Sequence, residues 1–266
     1  MSLQVFSPSP QLAAFVAHYY YINETAAELP LLKKKIPDGS IELHIHFGDP
    51  FHIVKQEKEL INQRFFIQGP LTNFIEIQPG KKTEFIGVKF KPAGFYYFVK
   101  GGIKSFTDQV IDIKDVWTTH LHLLDNDVFD ISDVQDRIAL IEKFLSAHLN
   151  REKENRIDYC IQRIMQQKGM ATVRELAGIA CLSARQLERN FSERIGLSPG
   201  YFSRIQKMQF VLQDIESGMY GNLTDLCYQY DYYDQSHFIK EVVSFTGINP
   251  GRIEYNPSCS FQTDYL

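Results

Sequence analysis

The sequence lacks the features of a membrane, secreted or cysteine-stabilised protein. No stretch approaches the ~20 consecutive apolar residues that a membrane-spanning helix needs. The N-terminus has no basic segment followed by an apolar core, so no signal peptide is predicted. The four cysteines are scattered and none forms a Cys-x-x-Cys pair, which argues against a structural zinc site or a disulfide framework. We therefore expect a cytoplasmic protein that has no membrane partner.

An excess of positive charge is also missing. Lys and Arg total 28 against 32 for Asp and Glu, so the formal net charge is −4 at pH 7. Because DNA-binding domains usually carry a basic face, any such face in this chain must be local. Residues 183–210 contain five Lys and Arg against two Asp and Glu, whereas residues 222–246 contain one against four. The first segment is therefore electropositive and the second is acidic.

Recognisable catalytic motifs are absent as well. No Ser-His-Asp spacing, glycine-rich nucleotide-binding loop or paired-carboxylate motif stands out, so we expect neither an enzyme nor a cofactor. The length of 266 residues is enough for two domains. The contents of 44% hydrophobic and 23% charged residues are ordinary for a globular chain.

A repeat in the last third of the chain organises the prediction of its fold. The segment Ser183–Pro199 returns 51 residues later as Asp234–Pro250. The paired positions share a helix N-cap, two apolar residues, a basic residue and an exit glycine, namely Ser183 and Asp234, Leu187 and Phe238, Phe191 and Val242, Arg189 and Lys240, Gly196 and Gly247. A fixed spacing of this kind indicates one structural unit used twice.

Each unit has the pattern of a helix-turn-helix. Thr172 and Glu175 form a capping box that opens a short helix, and Ser183 caps a second helix with Leu187 and Phe191 on its inner face. In the second copy the pattern predicts helices at Asn222–Tyr230 and Asp234–Phe245. Two helices joined by a short turn, with a polar outer face, are typical of a helix-turn-helix.

A single long helix is predicted between the two units. Ser198 caps it, Pro199 is suited to its first turn, and Gly218 ends it. Its apolar residues form one stripe along Pro199–Ser217. Such a helix is roughly 27 Å long, of the same order as the ~34 Å between successive major grooves on one face of DNA. One chain could therefore contact two adjacent grooves.

These motifs resemble the DNA-binding domain of the AraC/XylS family of bacterial transcription regulators. The residues that carry the resemblance are Leu176-Ala177, Ser183-x-x-x-Leu187-x-Arg189-x-Phe191, Gly196-x-Ser198-Pro199, Ser236-His237-Phe238 and Gly247-x-Asn249-Pro250. The family implies a seven-helix domain with two helix-turn-helix units that binds double-stranded promoter DNA and contacts RNA polymerase. This chain departs from the family pattern in its second unit, where Asp231-Tyr232 replaces Gly-Phe, Leu226-Cys227 replaces Ile-Ala, and Lys240-Glu241-Val242-Val243 replaces Arg-x-Phe-Lys.

The outward positions of the two recognition helices are the candidate DNA contacts. In the first unit they are Arg185, Gln186, Glu188 and Arg189, and in the second Gln235, Ser236, His237 and Lys240. Arginine is the commonest reader of guanine in the major groove, although the same residues could contact phosphates alone or form a solvated helix face. For Glu188 a helix salt bridge is the favoured alternative, and for His237 it is packing.

Residues 1–150 have the pattern of an antiparallel sheet or small barrel with flanking helices. Short alternating segments are separated by turn signals, and we predict strands at Ile41–Phe47, Phe51–Val54, Arg64–Ile67, Asn73–Gln78 and Thr83–Phe90. A capping box at Ser132 opens an amphipathic helix that ends near Leu149, a candidate coupling or dimer surface. The charged stretch Asn150–Arg156 is the predicted boundary, which gives domains at 1–150 and 151–266. The chain is therefore predicted to be α+β, with an all-α C-terminal domain.

The N-terminal domain offers candidates for an effector site. Ile36–Leu43 and Gly87–Phe95 resemble the N-terminal domain of a subset of these regulators, and in the family at large that domain binds a small effector, dimerises, or does both. We select Tyr20, His44, His46 and Phe90 as effector-binding candidates, with burial in the core as the alternative.

A metal site is the other interpretation of this strand. His44 and His46 form a His-x-His pattern, and Glu42, Asp49 and His52 lie nearby. The ligand set is incomplete, so we expect no metal.

The favoured interpretation is a sequence-specific DNA-binding transcription regulator, with activation as its expected direction, that has an N-terminal ligand-sensing or dimerisation domain. The alternative from another class is a cupin-like metal-dependent enzyme domain fused to a DNA-binding tail. A third interpretation, motivated by the acidic second unit, is that this unit binds a protein partner instead of DNA.

Overall fold

The fold is described from a computed structural model that covers residues 3–25, 33–49, 52–55, 58–61, 64–151, 157–218 and 220–253. Ten strands occur in the described part: β1 Leu3–Phe6, β2 Val16–Thr25, β3 Lys33–Lys35, β4 Glu42–His46, β5 His52–Lys55, β6 Lys58–Ile61, β7 Phe65–Gln68, β8 Ile75–Gln78, β9 Lys82–Phe90 and β10 Val110–Asp112. Short 3-10 turns at Gly94–Phe98 and Lys104–Phe106 lie between β9 and β10.

The described helices follow the strands. They are α1 Ile113–Val116, α2 Val128–Asp130, α3 Val134–His148, α4 Asp158–Gln166, α5 Val173–Ile179, α6 Ala184–Arg194, α7 Pro199–Ser217, α8 Leu223–Gln229 and α9 Gln235–Thr246, with a π-helical turn at Leu123–Asp127 and a final 3-10 turn at Pro250–Arg252. The predicted order, an antiparallel-sheet domain followed by a helical domain, is confirmed. The predicted charged boundary at Asn150–Arg156 falls largely on residues 152–156, which lie outside the described residues.

Two antiparallel sheets form the N-terminal part. One sheet has six strands in the order β1-β2-β9-β4-β7-β10, and the other has four in the order β3-β8-β5-β6. One face of the six-stranded sheet packs into the main apolar core, to which α3 contributes Ile138, Ile141, Phe144 and Leu145. The apolar face of α3 is thus buried within the N-terminal part. Its N-cap is Asp133, which accepts hydrogen bonds from the backbone of Gln135 and Asp136, and not Ser132 as the sequence predicted.

Strand β4 is buried on both faces, although its alternation predicted a half-buried strand. All five of its residues are buried. Leu43 and Ile45 belong to the main core. On the opposite face the ring of His44 stacks on that of Phe66 at 4.7 Å. A second apolar cluster, which includes Phe66, Phe85 and Ile75 of β8, covers this face. The predicted alternation of side chains along β4 is correct, but the four-stranded sheet covers the face that was predicted to be exposed to solvent.

The helical part follows the predicted repeat. Thr172, Ser183, Ser198, Asn222 and Asp234 each cap a helix by accepting a hydrogen bond from a backbone amide one turn ahead. Both exit glycines adopt positive φ, 86° for Gly196 and 67° for Gly247, a conformation that glycine adopts without strain. The bounds of the long connecting helix α7, Pro199–Ser217, agree with the prediction.

Helix α7 is buried around more of its circumference than its apolar stripe predicted. Phe202, Ile205 and Leu212 on the stripe are fully buried in the core of the helical part. The polar side chains Gln206 and Gln209 are also buried, with exposures of 1% and 3%. A buried amide needs hydrogen-bond partners, and these partners lie in the N-terminal part of the chain. Helix α7 therefore joins the two parts as well as the two units.

Candidate nucleic-acid interface and N-terminal cavity

The first recognition helix, α6, presents the predicted residues to solvent. Its inner face is fixed by Leu187 and Phe191, both fully buried. The outward residues Arg185, Gln186, Glu188 and Arg189 are all exposed. The Gln186 side chain is engaged in the capping box, where it accepts a hydrogen bond from the backbone of Ser183 at 2.9 Å. The Arg189 side chain is 71% exposed and lies 3.9 Å from Glu193, a weak pairing that leaves the guanidinium accessible.

The other cations of the first unit make contacts within the chain. Arg204 pairs with Glu241 of α9 at 3.1 Å. Lys207 donates to the carbonyl oxygen of Tyr230 at 3.0 Å. The Arg194 guanidinium lies 5.5 Å from the ring centre of Tyr96. Counting charges in the sequence therefore overstates the basic surface, because three of the five cations hold elements together.

The second recognition helix, α9, also exposes its predicted residues. Gln235, Ser236, His237 and Lys240 are exposed, while Phe238 and Val242 are fully buried. Nε2 of His237 lies 3.7 Å from a carboxylate oxygen of Glu241. The acidic positions Asp225, Asp231 and Asp234 are exposed as well. The predicted electrostatic difference between the two units is therefore present on their surfaces.

The turns of the two units differ by one residue. The first runs from Ala180 to the N-cap Ser183, and the second from Tyr230 to the N-cap Asp234. Cys181 and Asp231 occupy matching left-handed positions, with φ of 51° and 50°. The family pattern has glycine at the position of Asp231. The left-handed conformation there explains that preference, because glycine adopts positive φ without strain. The extra residue leaves Tyr233 at the surface, 91% exposed.

The N-terminal part supports the C-terminal ends of both recognition helices. At the end of α6, the backbone N–H of Ile103 donates to the Glu193 carbonyl at 2.7 Å, and the Thr107 hydroxyl donates to the Gly196 carbonyl at 2.6 Å. At the end of α9, the Lys34 ammonium donates to the Gly247 carbonyl at 3.4 Å. The last carbonyls of a helix lack partners inside it, so these donors stabilise both ends. Nothing in the sequence pattern pointed to this arrangement.

A loop between β3 and β4 holds helix α7. Gln206 Nε2 donates to the carbonyl oxygen of Asp38 at 2.8 Å, and Gln209 Nε2 donates to that of Pro37 at 2.6 Å. Gly39 has φ of 78°, and a Cβ atom placed there would lie 2.7 Å from the Phe202 ring. Both the conformation and the close approach require glycine. The Pro37-Asp38-Gly39 turn signal in the sequence was correct, but its role as a docking point was not predicted.

A cavity of about 280 Å³ lies between the sheets beside this loop. Tyr20 and His44, two of the predicted effector residues, line it, together with Gln209 of α7. Phe90 lies fully buried in the main core, on the other face of the sheet. His46 is also fully buried, and its ring stacks on that of Phe85 at 5.0 Å. Among the described lining residues neither Phe90 nor His46 occurs.

A network of ionisable side chains forms the polar wall of the cavity. One carboxylate oxygen of Glu42 accepts hydrogen bonds from Tyr20 at 2.7 Å and from Lys35, and lies 3.1 Å from Nε2 of His44. Burial alone would raise the pKa of Glu42, but Lys35 and His44 outweigh it and hold this pKa well below its ordinary value. Burial lowers the pKa of His44. Glu42 is therefore ionised and His44 is neutral near pH 7.

The neighbouring pair in the cavity is Lys89 and Asp38. The Lys89 ammonium lies 2.8 Å from a carboxylate oxygen of Asp38. Burial tends to raise the pKa of Asp38, but Lys89 and Lys35 together outweigh it and hold this pKa below its ordinary value. Both carboxylates on the cavity wall are thus ionised and paired with lysine.

The His-x-His strand does not assemble a metal site within the described residues. No group of three or more His, Cys, Asp or Glu side chains there could hold a metal ion. The ring of His44 faces Glu42 and Phe66, and that of His46 lies between aromatic rings. The side chain of His52, part of the predicted cluster, lies outside the described residues. The described helices also include none long and apolar enough to cross a membrane.

Two families match separate segments of the chain. Residues 4–112 match a domain of unknown function (DUF6597), and residues 176–254 match a helix-turn-helix domain. No curated protein sequence matches this chain.

Among solved structures, several of ToxT from Vibrio cholerae match most of this chain at TM-scores below 0.5. A structure at 1.65 Å resolution has 8% sequence identity and a TM-score of 0.47, and the match covers 87% of this chain and 96% of that chain. ToxT with a bound unsaturated fatty acid has 9% identity and a TM-score of 0.42, over 86% and 93% of the two chains. ToxT bound to (E)-4-(8-methylnaphthalen-1-yl)but-3-enoic acid has 10% identity and a TM-score of 0.45, over 94% and 97%.

The matched helix-turn-helix segment begins within α5 and includes both recognition helices, the connecting helix α7 and the final 3-10 turn. Its repeat, caps and buried inner faces are those that the resemblance implied. Residues 176–254 of this chain therefore form a helix-turn-helix domain of the kind that the resemblance implied.

Proposed function

We propose that this protein regulates transcription by binding double-stranded promoter DNA through α6 and α9, and that residues 1–150 sense a small-molecule effector in the cavity between the sheets. Residues 151–266 are the proposed DNA-binding domain. The observation that supports the proposal best is the pair of recognition helices, each with a buried inner face and an exposed polar face, connected by one rigid helix.

The length of α7 suits contact with two grooves. Its 19 residues span about 28 Å, close to the ~34 Å that separates successive major grooves on one face of DNA. Arg204 adds a cross-link from α7 to α9 through Glu241. This cross-link limits the angle between α7 and the second unit.

The first unit is proposed to supply most of the affinity. Arg185 and Arg189 are exposed cations on α6, whereas Lys240 on α9 lies among exposed acidic residues. Neutralisation of phosphates dominates the affinity of many DNA-binding proteins, and acidic neighbours oppose it. Arg189 is therefore proposed as a base or phosphate contact, and Lys240 as a weaker contact.

A comparison of single substitutions in the full chain tests this function. A bidentate arginine–guanine contact is worth ~1–3 kcal/mol, so we expect Arg189→Ala to weaken binding to the selected DNA site by about tenfold or more. Lys240→Ala should weaken it by less than about threefold. The site is first obtained by selection from random duplex DNA, and affinities are measured by fluorescence anisotropy.

Lys143→Ala is the matched control, because this exposed lysine lies on α3 of the N-terminal part and its loss changes the net charge equally. We expect no change in affinity for this variant. Equal losses for Arg189→Ala and Lys240→Ala would contradict the asymmetry between the units. If the selection enriches no DNA sequence, sequence-specific DNA binding by the purified chain is contradicted.

The resemblance supports further proposals about partners. We propose contact with RNA polymerase in an activating role, a homodimer as the assembly of the N-terminal domain, and a cytoplasmic location. Sedimentation of the purified chain with and without its DNA site tests the homodimer, since a monomer under both conditions would exclude it. Transcription in vitro from a template carrying that site tests activation.

A further inference from the structure

Residues 100–105 of the N-terminal part, here called the glycine loop, lie beside the C-terminal end of the first recognition helix. The backbone N–H of Ile103 donates to the Glu193 carbonyl of α6 at 2.7 Å. A Cβ atom on Gly102 would lie 3.3 Å from the same carbonyl oxygen, so the loop backbone is in close contact with α6. The side chain of Ile103 is fully buried in the main core. The loop is therefore fixed to both parts of the chain.

Two lysines of the glycine loop are exposed. They are Lys100 and Lys104, and the neighbouring Ser105 is exposed as well. Neither lysine forms an ion pair with an acidic side chain in the described part of the chain. They differ in this respect from Arg194 and Lys207, which make contacts within the chain. The loop therefore presents two positive charges to solvent at the end of α6.

The loop backbone adds hydrogen-bond donors to these charges. Gly101 and Gly102 are both exposed, and among the described residues no acceptor receives a hydrogen bond from either N–H group. Gly101 has φ of 100°, and a Cβ atom placed there would meet nothing within 4 Å, so the backbone at this point is open to a ligand. Lysine side chains, hydroxyl groups and backbone N–H groups are the usual protein partners of DNA phosphates.

The outward face of α6 leads directly to this loop. Arg185, Arg189 and Glu193 are exposed and spaced by four residues, so they share one face of the helix. The 11 residues of α6 span about 16 Å, whereas the major groove is ~12 Å wide. The N-terminal residues of a recognition helix contact the base edges. The C-terminal end of α6 therefore reaches the sugar–phosphate strand that borders the groove.

We propose that the glycine loop binds adjacent phosphates of that DNA strand, next to the groove that α6 occupies. Lys100 and Lys104 supply the charge, and the N–H groups of Gly101 and Gly102 supply hydrogen bonds. The inference rests on the proposed DNA binding by α6 and goes beyond it, because it gives the N-terminal part a direct contact with DNA.

A contact of this kind is independent of the base sequence, since phosphates carry no base information. The loop therefore raises the affinity for every duplex by the same factor and leaves the preferred sequence unchanged. A purely structural role is the alternative, because cations near the C-terminal end of a helix stabilise it. The salt dependence of DNA binding and the stability of the chain separate these two roles.

The double variant Lys100→Ala/Lys104→Ala of the full chain tests the contact. We expect it to weaken binding to the selected site and to an unrelated duplex equally, by about fivefold or more at about 50 mM salt, and to flatten the slope of log K against log salt by about 1.8. Lys100→Arg/Lys104→Arg should keep the affinity and the slope, because arginine also binds phosphate. The matched control Lys81→Ala/Lys143→Ala removes two exposed lysines of the N-terminal part and should change neither quantity.

Urea unfolding measures the structural role in the same variants. The midpoint of Lys100→Ala/Lys104→Ala should equal that of the unmodified chain. An unchanged salt slope overturns the phosphate contact, and so does a loss of affinity that is accompanied by a lower urea midpoint and a retained slope.

Ethylation interference on the selected site locates the contact. The half of the site that α6 occupies is identified by the loss of base preference in Arg189→Ala. Ethylation of phosphates at the edge of that half should block binding of the unmodified chain, and this block should disappear in Lys100→Ala/Lys104→Ala. The same interference pattern in both proteins overturns the loop contact alone. If the unmodified chain binds no duplex at all, the proposed DNA-binding function fails, and the loop contact fails with it.

Discussion

At the scale of single residues, His46 shows how burial turns a titratable group into a core residue. It is fully buried, and its ring stacks on those of Phe85 and Phe66. Burial, with a smaller contribution from His44, lowers the pKa of His46 to about 3. In the unfolded chain a histidine titrates near 6.5. The unfolded state therefore binds a proton below pH 6.5 that the folded state does not bind until about pH 3.

This difference predicts an acid-sensitive stability. Between pH 6.5 and about 3, each pH unit of acidification should reduce the unfolding free energy by up to ~1.4 kcal/mol through His46 alone. We expect His46→Phe to flatten the dependence of the urea midpoint on pH between 6.5 and 4.5. Val88→Ala is the control, since this change in the main core removes no titratable group and should lower stability equally at every pH. An unchanged slope in His46→Phe would contradict the assignment.

The sequence placed His44 and His46 on one face of β4 but could not assign that face to the interior. Alternation depends on the local backbone geometry alone. The cover over this face comes from β8, through Ile75. Strands β4 and β8 are far apart in the sequence, and they meet only in the folded chain. For the same reason the sequence selected Tyr20, His44, His46 and Phe90 together as effector-binding candidates. Only the fold separates Tyr20 and His44, which line the cavity, from the other two.

At the scale of elements, both ends of α7 were predicted correctly from the sequence, but the full extent of its burial was not. Ser198, Pro199 and Gly218 are local signals, and they fixed both ends of the helix. Its apolar stripe predicted one buried face. The burial of Gln206 and Gln209 had no local signal, because their partners are backbone carbonyls of Asp38 and Pro37, more than 160 residues away in the chain.

The docking of α7 gives a second prediction. Gln209→Ala removes the donor to the Pro37 carbonyl, and an unsatisfied buried acceptor costs ~1–3 kcal/mol. We expect urea unfolding of the full chain to show a loss of that size. Gln213→Ala is the matched control on the same helix, because Gln213 is exposed, and its effect should stay within ~0.5 kcal/mol. Equal effects of the two substitutions would refute a stabilising role for the Gln209 contact.

At the scale of the whole molecule, the net charge of −4 and the internal use of Arg194, Arg204 and Lys207 leave few cations for DNA. Among the proposed contacts on the recognition helices only Arg185, Arg189 and Lys240 are cationic and exposed. The slope of log K against log salt is about −0.9 for each phosphate neutralised. We therefore expect about −2.7 from these three residues and about −1.8 from the two lysines of the glycine loop, which gives a slope of about −4.5 for the selected site, measured by anisotropy at several salt concentrations.

Substitutions check the origin of that slope. Arg185→Ala combined with Arg189→Ala should flatten it by about 1.8, and Lys143→Ala should leave it unchanged. A slope steeper than about −5 in the unmodified chain would mean that cations beyond these five contribute to the binding. The repeat and its charge asymmetry were readable from the sequence, but the internal pairing of three cations was visible only in the fold.

The contacts between the loop at Pro37–Gly39 and helix α7 also bear on which N-terminal domains could be joined to this helical part. The side chains of Gln206 and Gln209 donate to main-chain oxygens, so this contact depends on the backbone conformation of the turn and not on its side chains. That shape depends on Gly39 and on Asp38, whose side chain accepts hydrogen bonds from Ser40. A transplanted domain of unrelated sequence would fit this DNA-binding half if its turn presented two consecutive carbonyls to the same pair of amides. Because only these backbone contacts must be kept, the rest of the N-terminal part could diverge in sequence without loss of its connection to α7.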